Sequence, residues 1–141
     1  MKYVLEYTPP YIIRDIKLNS PQAIPEDYFH ELFPHHELEE RAVAVYLNAM
    51  NQPITHEIVG IGTLTASMVN IQKVCRTAVL TGTHGVILIH NHPSNNTRES
   101  VADRKITESL HKALQLFDCK LLDSLIYTRD EVISLRERGL L

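Results

Sequence analysis

The chain has 141 residues, of which 44% are hydrophobic and 22% are charged, and its formal net charge is −3. These values are typical of one globular domain with a substantial core. The mildly acidic balance argues against broad electrostatic binding to nucleic acid, because such binding depends on cationic side chains that neutralise phosphates. The sequence contains neither an apolar run of the roughly 18 residues that cross a bilayer nor a signal-peptide pattern, so we expect a cytoplasmic protein with no membrane partner.

The first half of the chain predicts a short helix and a β-hairpin. Residues 1–15 are interpreted as an N-terminal arm, in which residues 3–5 could form an edge strand before a double proline. Such a strand could pair with a second copy, so a homodimer is one hypothesis. A helix is predicted over residues 25–33, with acids in its first turn. Two strands are then predicted at residues 43–47 and 54–64, joined by a turn.

The second half alternates helices with strands. An apolar stripe predicts a helix packed against a sheet; its members are Ile71, Val74, Cys75, Ala78 and Val79. The unbroken apolar run at residues 86–89 predicts a buried strand. A second helix is predicted over residues 100–117, followed by a closing hairpin of strands at residues 121–128 and 132–135. The order β-β-α-β-α-β-β predicts an α/β domain with a mixed sheet and helices packed on its faces.

Three residues near the end of the buried strand form a candidate metal site. His90 and His92 alternate along the strand, so they project to the same side. Asp103 falls in the first turn of the next helix, which begins at the same edge of the sheet. Two imidazoles and one carboxylate suit a catalytic zinc ion, which keeps a fourth position open for water. Each residue alone would be explained more simply as a strand end or a helix cap, but the three together favour a metal.

Two further residues are candidates for catalytic roles. Glu57, on the strand before the first long helix, could act as a general base. From spacing alone, an exposed position on that strand is the simpler interpretation. Ser100 could donate a hydrogen bond to a tetrahedral oxyanion, and N-capping of the following helix explains it equally well.

The spacing His-x-His-x7-Ser-x2-Asp, formed by His90, His92, Ser100 and Asp103, resembles the JAMM motif of the JAB/MPN metalloproteases. More narrowly, the chain resembles the RadC subfamily over roughly residues 16–141. The segments that carry the narrower resemblance are residues 62–64, 86–94 and 134–141.

The resemblance implies a fold, a cofactor and roles for the site residues. The implied fold of residues 16–141 is a three-layer α-β-α sandwich of the cytidine-deaminase-like type. The implied cofactor is Zn2+, held by His90, His92 and Asp103. Glu57, five residues before Gly-Thr-Leu, would be the general base, and Ser100 would help to polarise the scissile carbonyl.

The implied function is a zinc-dependent metallopeptidase or isopeptidase that acts on a peptide or an isopeptide-linked protein. The alternative is a non-catalytic metal-binding RadC-like module associated with DNA repair or recombination. A zinc nucleobase deaminase is discarded, because that class needs a Pro-Cys-x-x-Cys motif and the two cysteines here, Cys75 and Cys119, lie far apart. An HNH nuclease is suggested only by the letters His-Asn-His.

The sequence also departs from the RadC pattern. Residues 70–73, 95–99 and 122–124 differ from the sequence that RadC proteins usually have at these positions. We expect these differences to alter the cleft and the substrate that it binds. The helix-hairpin-helix region that RadC proteins usually carry is not found in the sequence, which weakens an expectation of DNA contact. The remaining histidines are assigned no chemistry.

Overall fold

The computed structural model describes residues 14–35, 38–62 and 69–141. It contains a 3-10 turn and three helices, α1 to α3, with five strands, β1 to β5. In chain order these are the 3-10 turn Pro21–Ala23, α1 Glu26–Leu32, β1 Arg41–Leu47, β2 Pro53–Ile61, α2 Ile71–Thr81, β3 Gly85–Asn91, α3 Val101–Gln115, β4 Lys120–Tyr127 and β5 Val132–Ser134. The helices and strands predicted from residue 25 onward are confirmed, with ends that shift by a few residues, and residues 63–64 of the second predicted strand lie outside the described residues. The predicted edge strand at residues 3–5, and the homodimer that depends on it, lie outside the described residues.

The five strands form one mixed sheet in the order β2-β1-β3-β4-β5. β3 and β4 are parallel, and the other neighbouring pairs are antiparallel. A parallel pair needs a long crossover, and α3 supplies it between β3 and β4. β3 therefore lies at the centre of the sheet, and all seven of its residues are buried. This position explains its unbroken apolar sequence, since a strand covered on both faces has no polar side to alternate with.

Apolar side chains on the two faces of the sheet form two separate cores. One core joins Ala44, Tyr46 and Leu88 to α2 and α3, and the other joins Val45 and Ile89 to α1. Successive strand residues point to opposite faces, so neighbours such as Leu88 and Ile89 enter different cores. The helices thus cover both faces, as the sequence order predicted.

The ends of α2 and α3 are set by local sequence. The side chain of Asn70 caps α2 by accepting a hydrogen bond from the Lys73 backbone N–H at 2.9 Å. α2 ends at Gly82, whose φ of +63° lies in the left-handed region that favours glycine. Ser100 caps α3, as described below. These caps fix where each helix meets the following or preceding strand, and hence where Asp103 lies.

Cys75 and Cys119 are free thiols, and Cys119 is buried. No helix among the described residues combines the length and the apolar character that a membrane span requires.

Candidate metal centre

β3 and the residue that follows it position the two histidines. His90 pairs with Ala42 of β1 on one side and with Ile126 of β4 on the other. His92 lies just beyond the strand, where its backbone N–H donates to the Tyr127 carbonyl at 2.9 Å. The two imidazole centroids are 5.2 Å apart. The strand alternation therefore brings both rings to the same place, as predicted.

A second contact orients the ring of His92. Its Nδ1 lies 2.6 Å from the backbone carbonyl of Asn96. A carbonyl oxygen can only accept, so Nδ1 carries a proton, and in the neutral ring Nε2 keeps its lone pair. Nε2 is also the atom that faces the neighbouring carboxylates. This is the arrangement by which proteins orient a histidine that binds a metal.

Asp103 is held by the first turn of α3. The Asp103 backbone N–H donates to Ser100 Oγ at 3.0 Å, and the Ser100 backbone N–H donates to Asp103 Oδ2 at 2.6 Å. These two reciprocal bonds form a capping box. The predicted N-cap role of Ser100 is confirmed. The capping box fixes Oδ2 of the carboxylate, and the other oxygen, Oδ1, lies beside His90 Nε2.

His90, His92 and Asp103 meet in a group that could hold a metal ion. They are 3%, 8% and 1% exposed, respectively. One ligand atom from each lies within 4.8 Å of the other two. His90 Nε2 is 2.8 Å from Asp103 Oδ1, and His92 Nε2 is 3.7 Å from Asp103 Oδ2. The three predicted ligands are thus brought together.

Two buried atoms in this group have no hydrogen-bonding partner among the described residues: His90 Nε2 and Asp103 Oδ1. They lie close together, but not in the orientation of a hydrogen bond. Leaving a buried polar atom unsatisfied costs about 1–3 kcal/mol. Two ligands held about 2.05 Å from a tetrahedral zinc ion would lie roughly 3.4 Å apart, and the observed separations fall on either side of that value. The residues therefore fit a metal ion, whose identity the nitrogen and oxygen donors leave open.

The electrostatics of the group favour a negative Asp103. Burial alone raises the pKa of this carboxyl. Its contacts with the His90 and His92 imidazoles and the hydrogen bond from the Ser100 N–H outweigh burial, so the net pKa lies well below its usual range. Burial lowers the pKa of His92, but Asp103, the Asn96 carbonyl and Glu40 together raise it. The site thus concentrates negative charge around two imidazole nitrogens, as a cation requires.

Glu40 belongs to the site although no sequence pattern indicated it. Its Oε1 lies 3.6 Å from His92 Nε2, and its side chain is only 20% exposed. Glu40 immediately precedes β1, and the β1–β3 ladder pairs Ala42 with His90, so continuing that ladder outward sets residue 40 opposite residue 92. The sequence does show two consecutive acids, Glu39 and Glu40, before a predicted strand. They indicate a site residue only once it is known that this strand pairs with β3.

The structure locates Glu57 two strands away from the histidines. Glu57 pairs with Ala44, which in turn pairs with Leu88, two residues before His90. Two strand spacings amount to about 10 Å. Glu57 Oε1 accepts a hydrogen bond from the Tyr46 hydroxyl at 2.5 Å. The role of Glu57 as a general base therefore remains a prediction, while Glu40 is the carboxylate in contact with His92.

A shallow cleft of about 440 Å³ lies next to the candidate centre. It is lined by Leu38, Glu39, Glu40, Gly62, Pro93 and Ser94. Pro93 follows His92 directly, and Glu40 contacts His92. The cleft therefore borders residues that adjoin or contact His92, although none of the three candidate ligands lines it.

The loop from His92 to Ser100 is tied to the end of the chain. Arg138 donates to the Thr97 carbonyl at 3.1 Å and to Glu99 Oε2 at 2.7 Å. Contacts with Arg104 and Arg138 lower the pKa of Glu99 to about 2. These contacts hold the residue just before Ser100, and so support the capping box.

The remaining described histidines do not join the metal group. His56 lies on the opposite face of β2 from Glu57, with its ring edge-on to Tyr28. His30 lies beside Glu26 on α1, with both side chains largely exposed. None of these positions suggests a second metal site, and His36 lies outside the described residues.

Comparison with known proteins identifies the family. The RadC-like JAB domain family model matches residues 18–140. A UPF0758 protein of Chlorobium chlorochromatii is 37% identical over 105 residues, which are 74% of this chain and 47% of that protein. A UPF0758 protein of Symbiobacterium thermophilum is 40% identical over 129 residues, 92% and 54% of the two chains. The UPF0758 protein YfjY of Escherichia coli is 40% identical over 102 residues, 72% and 64% of the two chains. The chain spans about half the length of the first two relatives, and on these matches it belongs to the RadC-like JAB domain family.

Proposed function

We propose that this chain is a zinc-dependent amide hydrolase, a metallopeptidase or isopeptidase. The observation that carries the proposal is the buried group of His90, His92 and Asp103, in which His90 Nε2 and Asp103 Oδ1 face each other without hydrogen bonds. Buried polar atoms with no partner are expensive, and a bound cation would satisfy both. We also propose that the fold is the three-layer, cytidine-deaminase-like sandwich that the family resemblance implies.

Zinc, when bound, supplies Lewis-acid polarisation of a carbonyl and lowers the pKa of a water molecule to about 7. The protein supplies the rest. Asp103 and the two imidazole Nε2 atoms would hold the ion at the end of β3. The Asn96 carbonyl keeps His92 in the tautomer that leaves Nε2 free. An extended peptide or an isopeptide-linked lysine is the substrate that we expect to bind in the cleft beside Glu40 and Pro93.

Hydrolysis also needs a group that accepts a proton from water and delivers it to the leaving amine as the C–N bond breaks. Glu40 is the better placed candidate, because its Oε1 lies 3.6 Å from His92 Nε2. Glu57 is the candidate from the family resemblance, and it would have to leave the Tyr46 hydroxyl to reach the metal group. The Ser100 hydroxyl accepts from the Asp103 N–H and keeps its own proton to donate toward a substrate oxygen.

The first experiment measures zinc by elemental mass spectrometry in the wild-type protein beside His92→Ala and Asp103→Ala. We expect about one zinc per chain in the wild type, lost in both variants. Absence of zinc from the wild type after zinc is resupplied would contradict the proposal.

The second experiment measures cleavage of a panel of peptides and isopeptide-linked proteins by the wild type, Glu40→Gln and Glu57→Gln. General acid–base catalysis contributes about 10²–10⁴-fold, so the variant of the true base loses that factor even at a zinc concentration that saturates every variant. The other variant is its matched control. Zinc binding without hydrolysis of any substrate would favour the alternative, a non-catalytic metal-binding module.

A further inference from the structure

The residue between the two histidines, Asn91, is itself fully buried, with 1% exposure. Its side chain does not face the metal group but reaches across to the start of β1. Its Oδ1 accepts a hydrogen bond from the Arg41 backbone N–H at 2.7 Å, and its Nδ2 donates to the Glu39 backbone carbonyl at 2.9 Å. One side chain thus occupies two backbone groups of the neighbouring strand.

These two groups lie on either side of Glu40. The carbonyl of residue 39 belongs to the peptide before Glu40, and the N–H of residue 41 belongs to the peptide after it. The paired residues of β1 and β3 end at Ala42 and His90, so the Asn91 amide takes over where the ladder stops. From the other side, Gly62 N–H donates to the Glu40 carbonyl at 2.9 Å. The backbone at Glu40 is therefore fixed from both neighbouring strands.

We propose that Asn91 is a positioning residue that holds the Glu40 carboxylate beside His92 Nε2. That this positioning serves catalysis rests on the proposed function. The same short segment, His90-Asn91-His92, would supply two metal ligands and the anchor for the nearby carboxylate. Displacement of a reacting group by about 1 Å can cost on the order of 100-fold in rate, so anchoring the backbone of Glu40 has a direct use.

The decisive experiment is the crystal structure of the full chain with Asn91→Ala, compared with a crystal structure of the wild type. We expect His90, His92 and Asp103 to keep their positions while the Glu40 carboxylate moves away from His92. A Glu40 carboxylate that stays beside His92 would overturn the inference. Amide hydrogen exchange gives a second readout, in which the Arg41 N–H loses protection and the N–H groups of residues 43–47 do not.

The functional readout is zinc affinity, measured by chelator competition in the wild type, Glu40→Gln, Asn91→Ala and the double variant. Groups that support metal ligands typically change affinity by about 10–100-fold. We expect Glu40→Gln and Asn91→Ala each to weaken binding, and the double variant to bind no more weakly than Glu40→Gln. Losses that multiply in the double variant would show that Asn91 acts independently of Glu40, against the inference.

Two further variants serve as controls for Asn91→Ala. Asn48→Ala removes an asparagine that accepts from the Met50 and Gln52 N–H groups at the far end of β1, and it should leave zinc affinity unchanged. If Asn91→Ala fails to fold, Asn91→Asp keeps the acceptor for Arg41 N–H and loses the donor to Glu39. It should then keep Arg41 protected and still displace Glu40. Absence of zinc from the wild type would contradict the proposed function. The position of Glu40 in the Asn91→Ala structure would still test the positioning role of Asn91.

Discussion

Two buried aspartates, Asp103 in α3 and Asp123 in β4, have opposite environments. Asp103 is 1% exposed and Asp123 is 7% exposed, so burial does not distinguish them. Asp103 keeps Oδ1 without a hydrogen bond, and contacts with the histidines hold its pKa low. Burial raises the pKa of Asp123, although the hydrogen bonds it accepts oppose the change.

The hydrogen bonds that Asp123 accepts give it a structural role. Ser134 Oγ donates to Oδ2 at 2.5 Å, and the N–H groups of Ser124 and Arg136 donate to Oδ1 at 2.7 and 3.2 Å. Both oxygens are therefore used to tie the end of β5 and the turn after it to β4. Asp103 therefore has an oxygen available for a ligand, whereas the protein itself already uses both oxygens of Asp123.

The largest difference between alanine variants of the two aspartates should be in zinc binding. Asp103→Ala should lose zinc affinity by more than about 100-fold, since even groups that only support ligands are worth about 10–100-fold. Asp123→Ala should keep about one zinc per chain. Elemental mass spectrometry after dialysis measures both. Equal zinc loss in the two variants would erase the distinction.

The second effect concerns stability. Asp123→Ala leaves the Ser134 hydroxyl and two backbone N–H groups without an acceptor, and should lower the free energy of unfolding by about 2–4 kcal/mol. Asp123→Asn is the matched control, because its amide can still accept from the N–H groups and donate to Ser134 Oγ. Urea unfolding without zinc measures both. A loss as large in Asp123→Asn as in Asp123→Ala would mean that the charge, not the bonding, matters.

The third effect is stabilisation by zinc itself. At a free zinc concentration 100 times Kd, ligand binding should add about 2.7 kcal/mol to the free energy of unfolding. The shift should vanish in Asp103→Ala and persist in Asp123→Asn. Thermal unfolding at several zinc concentrations checks it. A zinc-induced shift that survives in Asp103→Ala would place the bound metal elsewhere.

A smaller effect should follow loss of the helix cap that holds Asp103. Ser100→Ala should cost about 1 kcal/mol of stability, because the Asp103 N–H loses its acceptor. Ser100→Thr keeps the hydroxyl and should restore most of that loss. Unfolding measured without zinc isolates the cap. No change in Ser100→Ala would contradict a capping role.

The smallest effect is a pH dependence that belongs to Asp123. Its pKa is raised in the folded state, so the unfolded chain releases the proton first as pH rises from about 3.9. In that window the unfolded state binds fewer protons than the folded state, and stability falls with rising pH until the raised pKa is passed. The difference in unfolding free energy between the wild type and Asp123→Asn, measured across this range, should show that fall. A difference that grows in favour of the wild type with rising pH would reverse the assigned direction.

Much of the site was predictable because its residues are close in sequence. His90 and His92 share one strand, and Asp103 follows in the first turn of the next helix, so strand alternation and a short loop suffice to bring them together. The cap formed by Ser100 is also local, since a serine three residues before an acid at a helix start is a known pattern. Glu40 was missed for the opposite reason, because its proximity depends on which strand lies beside β3.

The elements, the two-faced burial of β3 and the three candidate ligands follow from periodicity and short-range geometry, so they can be predicted from sequence alone. The neighbours of β3 depend on the tertiary structure. The strand order β2-β1-β3-β4-β5 brings the start of β1 beside the end of β3, where Asn91 bonds the peptides around Glu40 and Glu40 contacts His92. The same order leaves Glu57 two strands away, bonded to Tyr46. Strand pairing between distant segments depends on how the whole core packs, and residue patterns within one segment do not encode it.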